Sequence, residues 1–274
     1  MSDLKKVAYL GPPGTYSQTA ALNHFGEEVE LLACATIDDA FLAVSIAEAG
    51  FAVVPLENST EGVVNNTQDC LVETDLLITG EEIVSIEHQL MVRADTDAVG
   101  INRIASHRQS LAQCRQWLQE HYPGVELMEC ASNAAAAKLA NEYNGTAAIA
   151  GVTAADIYGL SILASSIQDQ DHNSTRFLVL GKSAPERTGK DKTSILVYTE
   201  NKPGALFRVL EPFERLQISL TKIDSRPAKK KAWEYVFFID FEGHAQDEQI
   251  VSLFAALEPC TEEVKSLGSY PAFE

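Results

Sequence analysis

Val7-Ala8-Tyr9-Leu10-Gly11-Pro12-Pro13-Gly14-Thr15-Tyr16-Ser17 decides the fold. Its four leading apolar residues form a short strand, the Gly/Pro cluster stops that strand, and Ser17 opens a helical stretch to about residue 25. A buried strand that turns at once into a helix is the first half of a βα unit, and the alternation continues to about residue 181. Residues 38–49 repeat apolar side chains at helical spacing, and Phe51-Ala52-Val53-Val54 is a short buried strand. An extended segment at 82–92, a helix at 110–121, an alanine-rich helix at 132–143 and strands at 147–150 and 177–180 follow. This order predicts an α/β domain with a mostly parallel, doubly wound sheet, long enough for two lobes.

Residues 182–193 contain no large apolar side chain and carry Pro185 and Gly189, so they are the linker that divides a domain at 1–181 from one at 194–274. Beyond it the pattern reads strand at 194–198, helix at 204–216, strands at 218–225 and 233–241, helix at 247–257 and a last strand near Val264. That is a ferredoxin-like α+β order.

Composition narrows the partners. Of 274 residues 46% are apolar, which excludes wholesale disorder, and 21 Lys+Arg against 39 Asp+Glu leave a formal charge of -18. Such a surface repels nucleic acid and anionic membranes, so an anionic small molecule has to be held by local donors and helix N-termini. Cys34, Cys70, Cys114, Cys130 and Cys260 fit no zinc or redox spacing and read as free thiols. The first residues show no apolar signal core, and no apolar run approaches the roughly 20 residues of a membrane helix, so the expected home is a reducing cytoplasm.

Several segments could carry chemistry. Gly11 to Ser17 aims backbone N–H groups and the Thr15 and Ser17 hydroxyls above a sheet edge, where an anion fits, although a tight turn with a capped helix explains them equally well. The spacing is not GxGxxG, which weakens a dinucleotide reading. Pro55-Leu56-Glu57-Asn58-Ser59-Thr60-Glu61-Gly62-Val63 gathers carboxylate, amide and hydroxyl groups at a strand end. Glu57 with Glu61 is a conceivable carboxylate pair, with a solvated loop favoured for Glu61. His107 is a possible base, but a capping or packing role is commoner for such a histidine. Arg176, at the mouth of a buried strand in Asn173-Ser174-Thr175-Arg176-Phe177, needs a carboxylate from the protein or from a ligand. Gly181-Lys182-Ser183 imitates the end of a P-loop but lacks its first glycine and its helix.

Taken in order, GPPGTYS, PLENSTEGVV, SHRQSLAQC, SNAAAA, AAIAG and NSTRF resemble the motif series of the prephenate dehydratase family. Asn201-Lys202-Pro203-Gly204-Ala205-Leu206 and Asp224-Ser225-Arg226-Pro227 resemble the two phenylalanine-binding motifs of that family's ACT regulatory domain, with Asp224 where the family usually has Glu. The resemblance spans about residues 5–270. Because the first motif starts at residue 11, no leading chorismate mutase segment is expected. The implied reaction converts prephenate to phenylpyruvate with loss of CO2 and the ring hydroxyl, without cofactor or metal, since aromatisation supplies the driving force.

The resemblance also implies a two-lobed catalytic domain like type II periplasmic binding proteins. It places Thr175 nearest the leaving hydroxyl, Arg176 against a substrate carboxylate, Asn58, Ser59, Ser106 and Gln113 as neutral donors, and Thr15, Ser17 and Phe177 along the cleft. Asn201, Gly204, Ala205, Leu206, Asp224, Ser225 and Arg226 would hold L-phenylalanine between ACT domains of a homodimer or homotetramer. Arogenate dehydration is the nearest alternative, and a non-catalytic small-molecule sensor a more distant one.

Overall fold

The structure, a computed structural model, describes residues 5–94, 100–170, 172–200, 202–227 and 235–273. The chain divides into two compact units, one of residues 1–68 and 82–177 and the other of residues 69–81 and 178–274.

The first lobe is built from β1 (Lys5–Leu10), α1 (Tyr16–Phe25), β2 (Val29–Cys34), α2 (Ile37–Ser45), β3 (Phe51–Asn58), β4 (Gly62–Val63), α3 (Asn65–Glu73) and β5 (Leu77–Ser85). The second contains β6 (Gln89–Arg93), β7 (Arg103–His107), α4 (Arg108–Gln113), α5 (Arg115–His121), β8 (Glu126–Cys130), α6 (Asn133–Glu142), β9 (Thr146–Ala150), α7 (Val152–Tyr158) and β10 (Leu160–Ala164). β11 (Ser174–Gly181) then returns to the first sheet, whose order is β2-β1-β3-β11-β5 with β4 beside β3. The second sheet runs β10-β6-β9-β7-β8.

β1 lies parallel to β2 and β3, and β7 parallel to β8 and β9, so each sheet brings several strand carboxyl ends to one edge. β6 is antiparallel to β9 and β10, so the second sheet is mixed. The single extended segment expected at 82–92 is broken. β5 stays in the first sheet, residues 86–88 cross over, and β6 joins the second. The returning chain runs beside this crossing, with Ile167 N donating to His88 O and Ile86 N to Asn173 O, both within 2.9 Å.

Local chemistry fixes the helices on these sheets. Thr36 and Asp39 form a reciprocal capping box that starts α2, and the Ser132 hydroxyl accepts from Ala135 N to start α6. α6 buries Ala134, Ala136, Ala137 and Ala140 completely. Alanine favours the helix and lets it lie close to the sheet, so dispersion contacts replace large side chains. Gly14, with φ +86, has a backbone that side-chain-bearing residues rarely adopt, and an added Cβ would meet Tyr158 and Ala154 of α7.

In the other unit β12 (Asp191–Tyr198), α8 (Ala205–Arg215), β13 (Leu220–Pro227), β14 (Tyr235–Glu242), α9 (Glu248–Leu257) and β15 (Glu263–Pro271) form an antiparallel sheet ordered β13-β14-β12-β15. Val209, Phe213, Ile250, Leu253 and Leu257 of the two helices pack with Ile195, Val197, Ile239 and Phe241 of the sheet. β12 starts at Asp191 rather than Ser194, because the Asp191 carboxylate closes a turn by accepting from Thr188 N and Gly189 N. Trp233, the expected start of the third strand, lies outside the described residues. Segment 69–81 belongs to this unit. Lys265 Nζ donates to the carbonyls of Leu71, Val72 and Thr74, Lys192 pairs with buried Glu81 at 2.7 Å, and Arg226 pairs with Asp69 at 2.6 Å.

Candidate active site

The carboxyl ends of β1, β2, β3, β7 and β8 open onto one cavity of about 470 Å³. Strand ends in parallel sheets are where ligands bind, because loops and helix N-termini converge there. Leu10, Ala35 and Asn58 contribute from the first sheet's edge, and His107, Ala131 and Asn133 from the second. The ten-residue helices α1 and α6 both begin at this cavity, through Tyr16 with Ser17 and through Asn133. No described lining residue is Lys, Arg, Asp or Glu.

β11 brings in Thr175 and Phe177. Successive strand residues point to opposite faces, so those two share the cavity while Arg176 faces away. Arg176 is buried and its Nη1 lies 3.4 Å from Glu57 Oε1. The same alternation on β3 sends Asn58 to the cavity and Glu57 behind it. Arg176, expected against a substrate carboxylate, thus has a carboxylate partner within the protein, Glu57, as the alternative of an internal ion pair requires.

Asn58 is committed at both ends. Its Oδ1 accepts from Thr60 N at 3.0 Å, Glu61 N at 3.1 Å and Thr60 Oγ1 at 2.6 Å. Backbone N–H groups only donate, so the amide has a single orientation and Nδ2 faces Thr175 Oγ1 and Asn173 Oδ1, each at 2.8 Å. Thr175 Oγ1 is thus an acceptor toward Asn58, which leaves its own proton free to donate elsewhere.

The network continues through Gln113, whose Nε2 donates to Thr60 Oγ1 while Oε1 accepts from Asn173 Nδ2 at 3.2 Å. His88 Nε2 lies 2.7 Å from that same Oε1, which assigns the proton to Nε2 and leaves Nδ1 toward the Tyr16 hydroxyl at 3.4 Å. Burial holds His88 below its ordinary value, partly opposed by the Gln113 hydrogen bond, and pushes the Tyr16 phenol up. The α4 and α5 segment, expected as one helix, breaks at Cys114. Asp169 accepts from Gln116 N and Trp117 N and donates its own N–H to Gln113 O, so a returning strand of chain takes over the helix ladder there. That break turns Gln113 toward the network.

Of the expected catalytic-domain residues, Thr15, Ser17, Asn58, Gln113, Thr175 and Phe177 line the cavity. Ser106 is fully buried beneath it, with Oγ donating to Ile149 O at 2.6 Å and lying 3.1 Å from Asn133 Oδ1. Ser59 ties the loop to the returning chain by donating to His172 O and accepting from Ser174 N. Neither lines the cavity: strand direction buries Ser106, and Ser59 is turned to the returning chain at 172–174. Tyr16, His88, Asn133 and Asn173 line the cavity without having been singled out. Asn133 and Asn173 sit inside the quoted motifs, and only His88 lies in a segment with no motif.

A second pocket of about 260 Å³ in the other unit is lined by Gly204, Ala205 and Leu206 together with Thr199, Glu200, Lys202, Phe207, Tyr235 and Phe237. Gly204, at φ +78, starts α8 in a left-handed conformation suited to glycine. Asp224, Ser225 and Arg226 lie on β13 and do not line this pocket, since β14 separates β13 from β12 and Arg226 is directed to Asp69. Asn201 lies outside the described residues.

The prephenate dehydratase family model matches residues 7–185, and an ACT domain model matches residues 193–259. The chain belongs to the prephenate dehydratase family. A bifunctional chorismate mutase/prephenate dehydratase from Stutzerimonas stutzeri is 50% identical over 266 residues, 97% of this chain and 73% of that protein. Among solved structures, prephenate dehydratase from Arthrobacter aurescens in complex with L-Phe superposes with TM-score 0.89 at 35% identity, covering 97% of this chain and 90% of that one. GqqA, described as a quorum-quenching acylase, superposes with TM-score 0.90 at 27% identity over 98% of each chain. Membership of the prephenate dehydratase family therefore extends over both halves of the chain, with the catalytic family match followed by the regulatory one.

Proposed function

We propose that this chain is a prephenate dehydratase, a carbon–oxygen lyase that forms phenylpyruvate, CO2 and water, and that Thr175 delivers the proton to the departing hydroxyl. One observation carries the reading: Thr175 Oγ1 accepts from Asn58 Nδ2 at 2.8 Å in a cavity whose described lining holds no Lys, Arg, Asp or Glu. In the reaction the bond to the ring carboxylate breaks, its electron pair enters the ring, and the carbon–oxygen bond opposite breaks as the hydroxyl takes a proton. A threonine hydroxyl is a weak acid, so it acts as a donor whose proton is replaced from solvent. The Asn58 bond fixes its direction and supports the negative charge that develops on oxygen. A lining without Lys or Arg among the described residues suits a carboxylate that has to lose its charge, while the N-terminal ends of α1 and α6 offer a milder positive potential to a dianion.

The acylase reading has less support. Cavity His88 and His107 have Gln113, Tyr16 and Gln109 N as partners, and among the described residues no serine or cysteine stands within hydrogen-bond reach of either ring. The pocket at Gly204 to Phe207 is proposed to take phenylalanine, with Asp224, Ser225 and Arg226 contributed at an interface between ACT domains of a homodimer or homotetramer in the cytoplasm. The functional division follows 1–181 and 194–274. Product analysis with purified enzyme tests the reading: phenylpyruvate from prephenate, lost in Thr175→Ala, supports it, and an unaffected Thr175→Ala overturns the assigned role.

A further inference from the structure

We infer that Asn133 is a specificity-determining residue that admits a keto-acid side chain and rejects an amino-acid one, an inference that rests on the dehydratase reading. Asn133 lines the cavity as the first residue of α6. Its Oδ1 lies 2.9 Å from Ser110 Oγ, 3.1 Å from Ser106 Oγ and 3.2 Å from His107 N. The backbone N–H of His107 fixes the amide, because the flipped orientation would set donor against donor. Among the described residues Asn133 Nδ2 has no protein acceptor, so the group presented to the ligand is a donor of locked polarity.

The substrate's chemistry says what that donor meets. The ring hydroxyl, placed at Thr175 on the first sheet's side, is para to the carbon that carries both the departing carboxylate and the side chain. Those two groups therefore point away from Thr175, toward the second sheet's loops. A positive helix end would hold back the carboxylate that leaves as CO2, so the side chain that keeps its charge belongs beside α6. In prephenate that side chain offers only acceptors, a keto oxygen and a carboxylate. In arogenate an ammonium replaces the keto oxygen and adds three donors and a positive charge. No described lining residue is Asp or Glu, so the ammonium meets the Asn133 donor with no carboxylate of the cavity lining to accept from it. Stranding such groups makes discrimination steep.

The test compares kcat/KM for prephenate and arogenate in the full-length protein and in Asn133→Asp, with each product quantified. Aspartate keeps the shape and the acceptor for His107 N but turns an oxygen to the cavity. The expected result is that the prephenate-to-arogenate ratio falls by roughly 10- to 100-fold, the size of one charged hydrogen bond reversed. An unchanged ratio in a folded variant overturns the inference. Should Asn133→Asp fail to fold, Asn133→Ala is read instead: a raised KM for prephenate with arogenate turnover no worse supports it, and equal losses on both substrates refute it. A wild type that prefers arogenate sinks this inference alone, whereas one that turns over neither sinks the dehydratase reading.

Discussion

Asn58 has one amide and uses both ends, and in the proposed reaction the donor end is the one that bears on turnover. Because Thr175 Oγ1 is already accepting from it, Thr175→Ala is expected to lower kcat by about 10²- to 10⁴-fold with little change in KM, while Thr175→Ser keeps most of the rate. Steady-state kinetics on the pair checks this, and near-wild-type turnover by the alanine variant removes the hydroxyl from the reaction. Arg176 makes the opposite prediction. Its partner is Glu57, behind the cavity, so Arg176→Met should lower stability by roughly 1–3 kcal/mol, less than for a fully buried pair, and leave KM within about twofold. Urea unfolding beside a KM measurement separates the two, since a large rise in KM at unchanged stability would return Arg176 to the substrate. His88 supplies a pH signature. Burial lowers it below its ordinary 6.5, so under acid the unfolded chain takes up the proton first. Its contribution to stability is complete above about 6.5 and is lost as pH falls through the native value. Urea midpoints between about pH 7.5 and 5.5 should therefore drop more steeply in wild type than in His88→Gln, and parallel curves would show that His88 is not responsible.

At the scale of elements, the interruption between α4 and α5 is set by a residue about 55 positions away. Asp169→Ala removes the acceptor for Gln116 N and Trp117 N, and should cost about 1 kcal/mol, as for a lost helix cap, together with part of the turnover because Gln113 loses its aim. Thermal melting and kcat on the one variant test both, and a fall in stability with kcat intact would detach the break from the chemistry. No reading of 108–121 alone finds this break, since its local pattern is continuously helical and the determinant is tertiary. Elsewhere the βα alternation was legible wherever a strand is buried on both faces, as at Val7 to Leu10 and in β9. It failed at β8, which leaves Leu127 and Met128 exposed, and at α3, whose opening Asn65-Asn66-Thr67-Gln68 reads as loop. The same reasoning divides the site. Motifs named the right segments, but which residue of each segment faces the cavity is a matter of strand parity and burial. Thr175 and Phe177 came out on the cavity side, and Arg176 and Ser106 did not. His88 and Tyr16 meet only because the crossing segment at 86–88 passes over the start of α1, a relation with no local sequence signal.

For the whole molecule, the compact unit that contains the ACT sheet also contains residues 69–81, so the C-terminal half cannot be removed cleanly. Glu81 is fully buried against Lys192, and Lys265 satisfies three carbonyls at the end of α3. A chain ended after residue 183 strands these groups, and its melting temperature should fall by about 10 °C or the product should aggregate. An unchanged melting curve would show that the first 183 residues are self-sufficient. A cavity with no Lys or Arg among its described lining residues has a kinetic corollary. A dianion approaching a chain of net charge -18 is pushed away until it reaches the cavity mouth, where short-range dipoles take over. Raising ionic strength screens the repulsion, whose range is about 10 Å at 0.1 M, and leaves the close contacts intact. Wherever encounter limits the rate, kcat/KM for prephenate should therefore climb as salt is added while kcat stays level. An enzyme that captured the same dianion with arginines would lose efficiency under the same titration, so the sign of the salt effect reports which kind of cavity the substrate enters.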